Sequence, residues 1–204
     1  MGAPDRRPAG ENSDRILRAA RTVFGSQGYE QATMDAIAAE AGVTKPTVYA
    51  RYPSKAALYA DLVHYDGERL LDHLLQASYE FGATSAEAAV SAGLRAYFGF
   101  FTDNPGTHEV LFSASRGGEA GQVVADVNEQ AIRRVATIAL AIADRHGREL
   151  TRPQARTLAA TLLGAAQGAF AAQRREPEVS SAEAQAIARG VLVTGVQALA
   201  EHGP

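Results

Sequence analysis

Residues Thr33 to Lys55 read TMDAIAAEAGVTKPTVYARYPSK, and the architecture of the chain can be worked out from them. Ile37 and Ala38 sit one helical turn from Ala41, Gly42 breaks the first helix, and Val43 turns inward. A second short helix starts at Thr44, whose hydroxyl is placed to cap it, with Pro46 in the first turn, where a missing N–H has no intrahelical partner to lose. Two short helices joined by a tight, Gly-containing turn are a helix-turn-helix. With Val48 inward beside Ile37 and Ala41, the second helix turns Lys45, Thr47, Tyr49 and Arg51 outward. That set offers donors and an aromatic ring but no acid, which suits a phosphate-rich groove.

Outward from this stretch, Asn12 and Ser13 offer an N-cap for a helix from about Asp14 to Ser26, with Ile16, Ala19, Ala20, Val23 and Phe24 at helical spacing and Gly28 ending it. Tyr29 falls in the link, and Thr33 caps the next helix, with Asp35 favourably placed in its first turn. Ser54 caps a fourth helix carrying Leu58, Leu62 and Val63.

From Ser13 to about Val63 the chain resembles the tetracycline-repressor (TetR) family of one-component transcriptional regulators. The match is carried by Gly28-Tyr29, Thr33, Ile37-Ala38, Ala41-Gly42-Val43, Thr47-Val48-Tyr49, Tyr52-Pro53-Ser54-Lys55 and Leu58. The resemblance implies an all-α fold: a short tail (1–11), a helix-turn-helix DNA-binding domain (12–63), and a larger helical domain (64–204) for effector binding and dimerisation. It implies that Thr33, Thr44, Lys45, Pro46, Thr47, Tyr49, Arg51, Tyr52 and Lys55 meet DNA. Lys45, Thr47, Tyr49 and Arg51 are expected in the major groove, and Thr33, Tyr52 and Lys55 mainly at phosphates. Ala50, Arg51 and Pro46 depart from residues common at these positions in relatives, so the operator sequence stays open. Arg51 could pair with a guanine or rest on a phosphate.

Composition sets limits on the rest. The chain has 204 residues, 46% of them hydrophobic, and no cysteine, which excludes disulfides, zinc–thiolate sites and cysteine nucleophiles. The opening MGAPDRRPAG lacks an apolar run. The nearest approach to a membrane span, Thr157 to Ala172, contains Gln167 and is bounded by Arg156 and Arg174, so the expected location is cytoplasmic. Net charge is −3, yet residues 1–65 hold eight Lys/Arg against seven Asp/Glu, while the remainder holds twelve against sixteen. Lys45, Arg51 and Lys55 fall in one segment with no acid between them, and a local patch of that kind contacts phosphates under a negative total.

Beyond residue 64 the pattern predicts further helices. Leu70, Leu71, Leu74, Leu75 and Phe81 mark a fifth. Capping boxes Thr84–Glu87, Thr151–Gln154 and Ser180–Glu183 open later ones. A long helix carries Val127, Ala131, Val135, Ile138 and Ile142 to a stop at Gly147. Tyr97, Phe98, Phe101, His108 and Phe112, with Gln167 and Phe170, are candidates to line a cavity for a hydrophobic or aromatic small-molecule effector, and such stripes also make plain core. The segment from Arg116 to Glu119 is a candidate gate.

The final two helices carry Gly164, Gly168, Gly190 and Gly195. Interior glycines cost roughly 1 kcal/mol each against alanine, which calls for a close backbone approach. The resemblance assigns that approach to a twofold mate, giving a homodimer; tight packing within one subunit is the alternative. No constellation for catalysis or metal binding is found among the five histidines, Asp61/His64 reads as a surface hydrogen bond, and no nucleophile elbow, phosphate loop or dinucleotide fingerprint occurs. No enzyme and no cofactor are expected. The expected function is a regulator, acting as a repressor on double-stranded, pseudo-palindromic operator DNA. A helical adaptor that has lost its DNA role, or a regulator without an effector, are the alternatives.

Overall fold

The computed structural model describes residues 11–81, 85–112 and 118–202. All the regular elements among them are helices: α1 (Glu11–Gln31), α2 (Met34–Ala41), α3 (Lys45–Arg51), α4 (Lys55–Phe81), α5 (Ala86–Asp103), α6 (Thr107–Phe112), α7 (Gly118–Arg145), α8 (Arg152–Arg175) and α9 (Ser181–His202). Residues 1–10 of the tail, Thr84, and Arg116 and Gly117 of the candidate gate lie outside the described residues. Two compact units divide the chain. One takes in the residues up to Asp66 with Pro105–Ala125, the other Gly67–Asn104 with the residues from Asp126 onward.

In the first unit, α1 buries Ile16, Ala19, Ala20, Val23 and Phe24, one stripe at helical spacing. This stripe packs on α2 and α6. α1 starts earlier than its sequence suggests, at Glu11, because Ser13 is not a cap but a buried side chain inside the first turn. It runs past Ser26 to Gly28, whose φ of 76° and ψ of 164° break it. Where α1 meets the start of α6, a Cβ on Gly25 would lie 2.7 Å from the Gly106 Cα, so only glycine lets the two backbones approach this closely.

α4 replaces the two helices expected around 55–63 and 70–81 with a single one of 27 residues. Its stripe steps through Leu58, Leu62, Asp66, Leu70 and Leu74, and its neighbour through Tyr59, Val63, Gly67 and Leu71. Asp66 and Gly67 interrupt the apolar pattern but not the helix. The Asp66 side chain is fully buried and its carboxylate accepts from both Nε (2.8 Å) and Nη2 of Arg21. That bidentate geometry is what makes a buried charge tolerable. A Cβ on Gly67 would collide with Val127 of α7.

In the second unit, α5 packs on α8 and α9, and α8 on α9. Phe98, Phe101, Tyr97 and Phe170 are buried together, and Ala184, Ala188, Leu192 and Val193 present the inner side of α9. Small side chains also close α7 on α8, where Ala136, Ala155 and Ala159 pack with Ile132, Val135, Leu140 and Leu150. Thr151 and Gln154 form a reciprocal capping box on α8, and Ser180 with Glu183 does the same for α9, Ser180 N–H donating to Glu183 at 2.9 Å and Glu183 N–H to Ser180 Oγ at 3.2 Å. α5 departs from that expectation: the side chain that caps it is Ser85, accepting from Ala88 N–H at 3.1 Å.

Candidate nucleic-acid interface and helical core

The turn between α2 and α3 is held by backbone bonds alone before any side chain contributes. Val43 N–H reaches Ala38 O and Gly42 N–H reaches Ala39 O, both at 3.0 Å. Gly42 adopts φ 61° and ψ 37°. Those are the paired bonds of a Schellman stop, which requires the left-handed residue that glycine supplies most cheaply. Arg15 of α1 adds its guanidinium to Ala41 O at 2.7 Å and Gly42 O at 3.2 Å, a cation at the negative end of a helix. Arg15 escaped the sequence reading because its partners lie 26 and 27 residues away.

At the other end of α2, Thr33 accepts from Ala36 N–H at 3.1 Å, as a cap should, and stays exposed. Its hydroxyl hydrogen remains available to an acceptor. Thr44 occupies the N-cap of α3 but makes no side-chain cap. Its hydroxyl pairs instead with that of Thr47 at 2.8 Å. Val48 is fully buried, which anchors α3, while Lys45, Pro46, Tyr49, Ala50 and Arg51 are exposed and Thr47 is half-buried.

The basic side chains of this face are less free than their spacing implies. Lys45 pairs with Asp35 of α2 at 2.7 Å and stands 5.9 Å from the Tyr49 ring. The hydrogen bond to Asp35, then its charge, holds the ammonium pKa above the ordinary lysine range. Arg51 donates from Nε to Ser13 at 3.2 Å and lies over the Tyr52 ring at 5.1 Å. Tyr52 is 3% exposed, so it belongs to the core of the module and not, as expected, to the phosphate-facing surface. Burial pushes its hydroxyl up to about 12, with the Asp61 charge adding to the effect. Lys55 also departs from expectation. Its ammonium donates to the carbonyls of Tyr29 at 2.8 Å and of Glu30 and Ala32 at 3.1 Å, and sits 4.6 Å from the Tyr29 ring centre.

The residues expected to meet an effector are split. Tyr97, Phe98, Phe101, Gln167 and Phe170 lie in the second unit, whereas His108 and Phe112 lie on α6 in the first, their rings 5.1 Å apart. Phe170 meets Phe98 and Phe101 at 5.3 Å, and Tyr97 meets Phe101 at 4.8 Å, the offset and edge-on arrangements aromatic rings prefer. Gln167 is half-buried one turn before Phe170. The Tyr97 hydroxyl is buried without a hydrogen-bond partner among the described residues, and burial drives its ionisation far above the ordinary tyrosine range.

On α8 and α9 another surface stands open. Ile187 is 65% and Val191 68% exposed. A Cβ built on Gly164, Gly168, Gly190 or Gly195 meets nothing within 4 Å among the described residues. Among the described residues, then, nothing packs closely on these glycines. Among the described residues no group of three or more His, Asp or Glu could hold a metal ion, and no helix is long and apolar enough to cross a membrane.

Residues 16–62 match the family described as bacterial regulatory proteins, tetR family. The chain is 32% identical over 108 residues to the HTH-type transcriptional activator FasR of Mycolicibacterium smegmatis, covering 53% of this chain and 48% of that one. The match thus spans about half the length of that relative. Among solved structures, the fatty acid degradation regulator FadR of Bacillus halodurans superposes with a TM-score of 0.76 at 18% identity, covering 91% of this chain and 95% of the other. FadR of Bacillus subtilis, solved with stearoyl-CoA, gives 0.73 at 17% identity, covering 94% and 98%. These two likenesses establish the shared helical fold.

Proposed function

We propose that the chain, whose residues 16–62 match the tetR family of bacterial regulatory proteins, is a homodimeric, DNA-binding transcriptional regulator of that family whose operator affinity is set by a small hydrophobic effector. The observation that carries the reading is α3: a helix anchored by buried Val48 and a Schellman turn, presenting Lys45, Pro46, Tyr49 and Arg51 outward, with Thr44 and Thr47 at its start. An exposed helix of this kind fits the major groove. Thr33 reaches phosphate from the start of α2. Lys45 exchanges Asp35 for a phosphate when DNA arrives, since an exposed pair costs little to part.

The open face of α8 and α9 supplies the twofold contact. Its glycines and the exposed Ile187 and Val191 suit the close approach of an identical face. Dimerisation places two α3 helices in successive major grooves, roughly 34–36 Å apart. The aromatic core around Tyr97, Phe101 and Phe170 takes the apolar part of the effector, with Gln167 and the Tyr97 hydroxyl as polar contacts. Stearoyl-CoA, held by the Bacillus subtilis neighbour, is the first probe. Repression released by effector is the primary reading; activation is the second, favoured by the similarity to the transcriptional activator FasR. No step calls for a catalytic group, and the protein acts in the cytoplasm with its DNA.

Selection of bound fragments from the source genome, run beside a Lys45→Ala/Arg51→Ala double variant, tests this reading. An enriched inverted repeat lost in the variant is expected; recovery of unspecific DNA by both would overturn it. Effector and operator must also weaken each other by one common factor, with coupling of about 1–3 kcal/mol. Equal stearoyl-CoA affinity for free and operator-bound protein removes stearoyl-CoA as the effector.

A further inference from the structure

We infer that Lys55 is a positioning residue for the recognition helix, clasping the link between α1 and α2, and is not a phosphate contact; the role in recognition rests on the DNA-binding reading above. Lys55 is the first residue of α4, the positive end of a helix, where a cation is disfavoured unless something compensates. The compensation is visible. An ammonium has three N–H donors, and here it makes three bonds, to Tyr29 O, Glu30 O and Ala32 O.

Those carbonyls need a donor because Gly28 ends the regular run of α1. Carbonyls near a helix end lack intrahelical partners, and a cation satisfies them well. One turn along α4, Tyr59 meets the Tyr29 ring at 4.8 Å and donates its hydroxyl to Val110 O at 2.6 Å. Lys55 and Tyr59 therefore seize the same link, one by its backbone and the other by its ring. Buried Ala32 leads directly into Thr33, the cap of α2, and α2 leads through its Schellman turn into α3. Holding residues 29–32 sets where α2 begins, and hence how α3 is presented. A phosphate could recruit Lys55 only by drawing the ammonium away from three carbonyls, those of Tyr29 and Ala32 in part-buried bonds and that of Glu30 in an exposed one, exchanging three charge-assisted bonds for one exposed contact.

The test compares wild type, Lys55→Met and Lys55→Arg in the full chain. Three quantities are read: the slope of log K against log salt on a mixed-sequence duplex, the melting temperature, and amide exchange across residues 29–36. The clasp predicts an unchanged salt slope for Lys55→Met, a melting temperature lower by about 2–4 °C, and faster exchange in the link and first turn of α2. Lys55→Arg, which keeps the charge but has a planar fork, shows the same exchange change to a smaller degree. If Lys55→Met fails to fold, Lys55→Arg carries the test. A salt slope lowered by roughly 0.9 per contact with exchange unaltered would overturn the clasp, as would an Arg variant indistinguishable from wild type in exchange. Should wild type bind no duplex at all, the DNA reading falls, while exchange and melting still decide whether Lys55 holds the link.

Discussion

Two regions of this molecule use glycine in opposite ways. In the N-terminal unit a Cβ on Gly25 would press on the Gly106 backbone at 2.7 Å, so the contact that demands glycine is present within the chain. On α8 and α9 four glycines face open space beside the exposed Ile187 and Val191. Helix-weakening residues that no described residue packs against are the basis of the proposed contact with a twofold mate. Charged groups committed to partners against the core follow the same division. The N-terminal unit encloses the Arg21–Asp66 pair and the Lys55 clasp, which fix one geometry. The described core of the second unit is aromatic and aliphatic, with an unpartnered Tyr97 hydroxyl.

The largest effect is expected inside the first unit. Asp66→Ala strands a mostly buried guanidinium and should lower stability by about 3–5 kcal/mol, read from the denaturant midpoint. Arg21→Met/Asp66→Leu should recover most of that loss; a double variant as unstable as the single one would mean that the pair is needed for more than its own neutralisation.

The glycines sharpen the contrast directly. Gly25→Ala should cost about 1–3 kcal/mol because backbone has to move. Gly168→Ala should stabilise an isolated subunit by up to about 1 kcal/mol through helix propensity, yet weaken self-association measured by sedimentation. If Gly168→Ala leaves association untouched, the open face is not the dimer contact.

Alkaline titration offers a smaller effect. The hydroxyls of Tyr52 and Tyr59 are each pushed up to about 12, chiefly by burial. A folded pKa raised above the ordinary value contributes stability that is fully present below pH 10 and is lost as pH climbs from about 10 through 12. Phenolate absorbance should show these two ionising late and together with unfolding. Independent, early ionisation of all seven tyrosines would contradict their burial.

The smallest effect concerns the exposed Lys45–Asp35 pair. Asp35→Asn should leave melting close to wild type and strengthen binding to any duplex, because the carboxylate competes with phosphate for the same ammonium. Fluorescence anisotropy on a mixed-sequence duplex reads it. Weaker binding would show that Asp35 orients Lys45 more than it restrains it.

Legibility in the sequence followed the distance between partners. The turn at Gly42, the inward Val48 and the capping boxes at Thr151 and Ser180 all depend on residues within about one helical turn, so pattern alone revealed them. Thr44 was a near miss of the same kind, its hydroxyl preferring Thr47 to a backbone amide. Lys55 and Tyr52 sat within the right motif, but their surroundings come from elsewhere in the fold: the carbonyls on Lys55 lie 23 to 26 residues back. The continuity of α4 was hidden because its stripe passes through Asp66, whose partner Arg21 is 45 residues away.

The helical class, the helix-turn-helix and the resemblance of residues 16–62 to the tetR family were legible in the sequence alone. These follow from periodicity, caps and turn glycines, which act between near neighbours in the chain. Only tertiary structure decided which basic side chains are committed to the protein's own backbone, that an acid belongs to the interior of α4, and that the glycines of α8 and α9 stand open. Each of those outcomes depends on burial and on donors meeting acceptors across tens of residues, and local sequence pattern carries no record of such pairings.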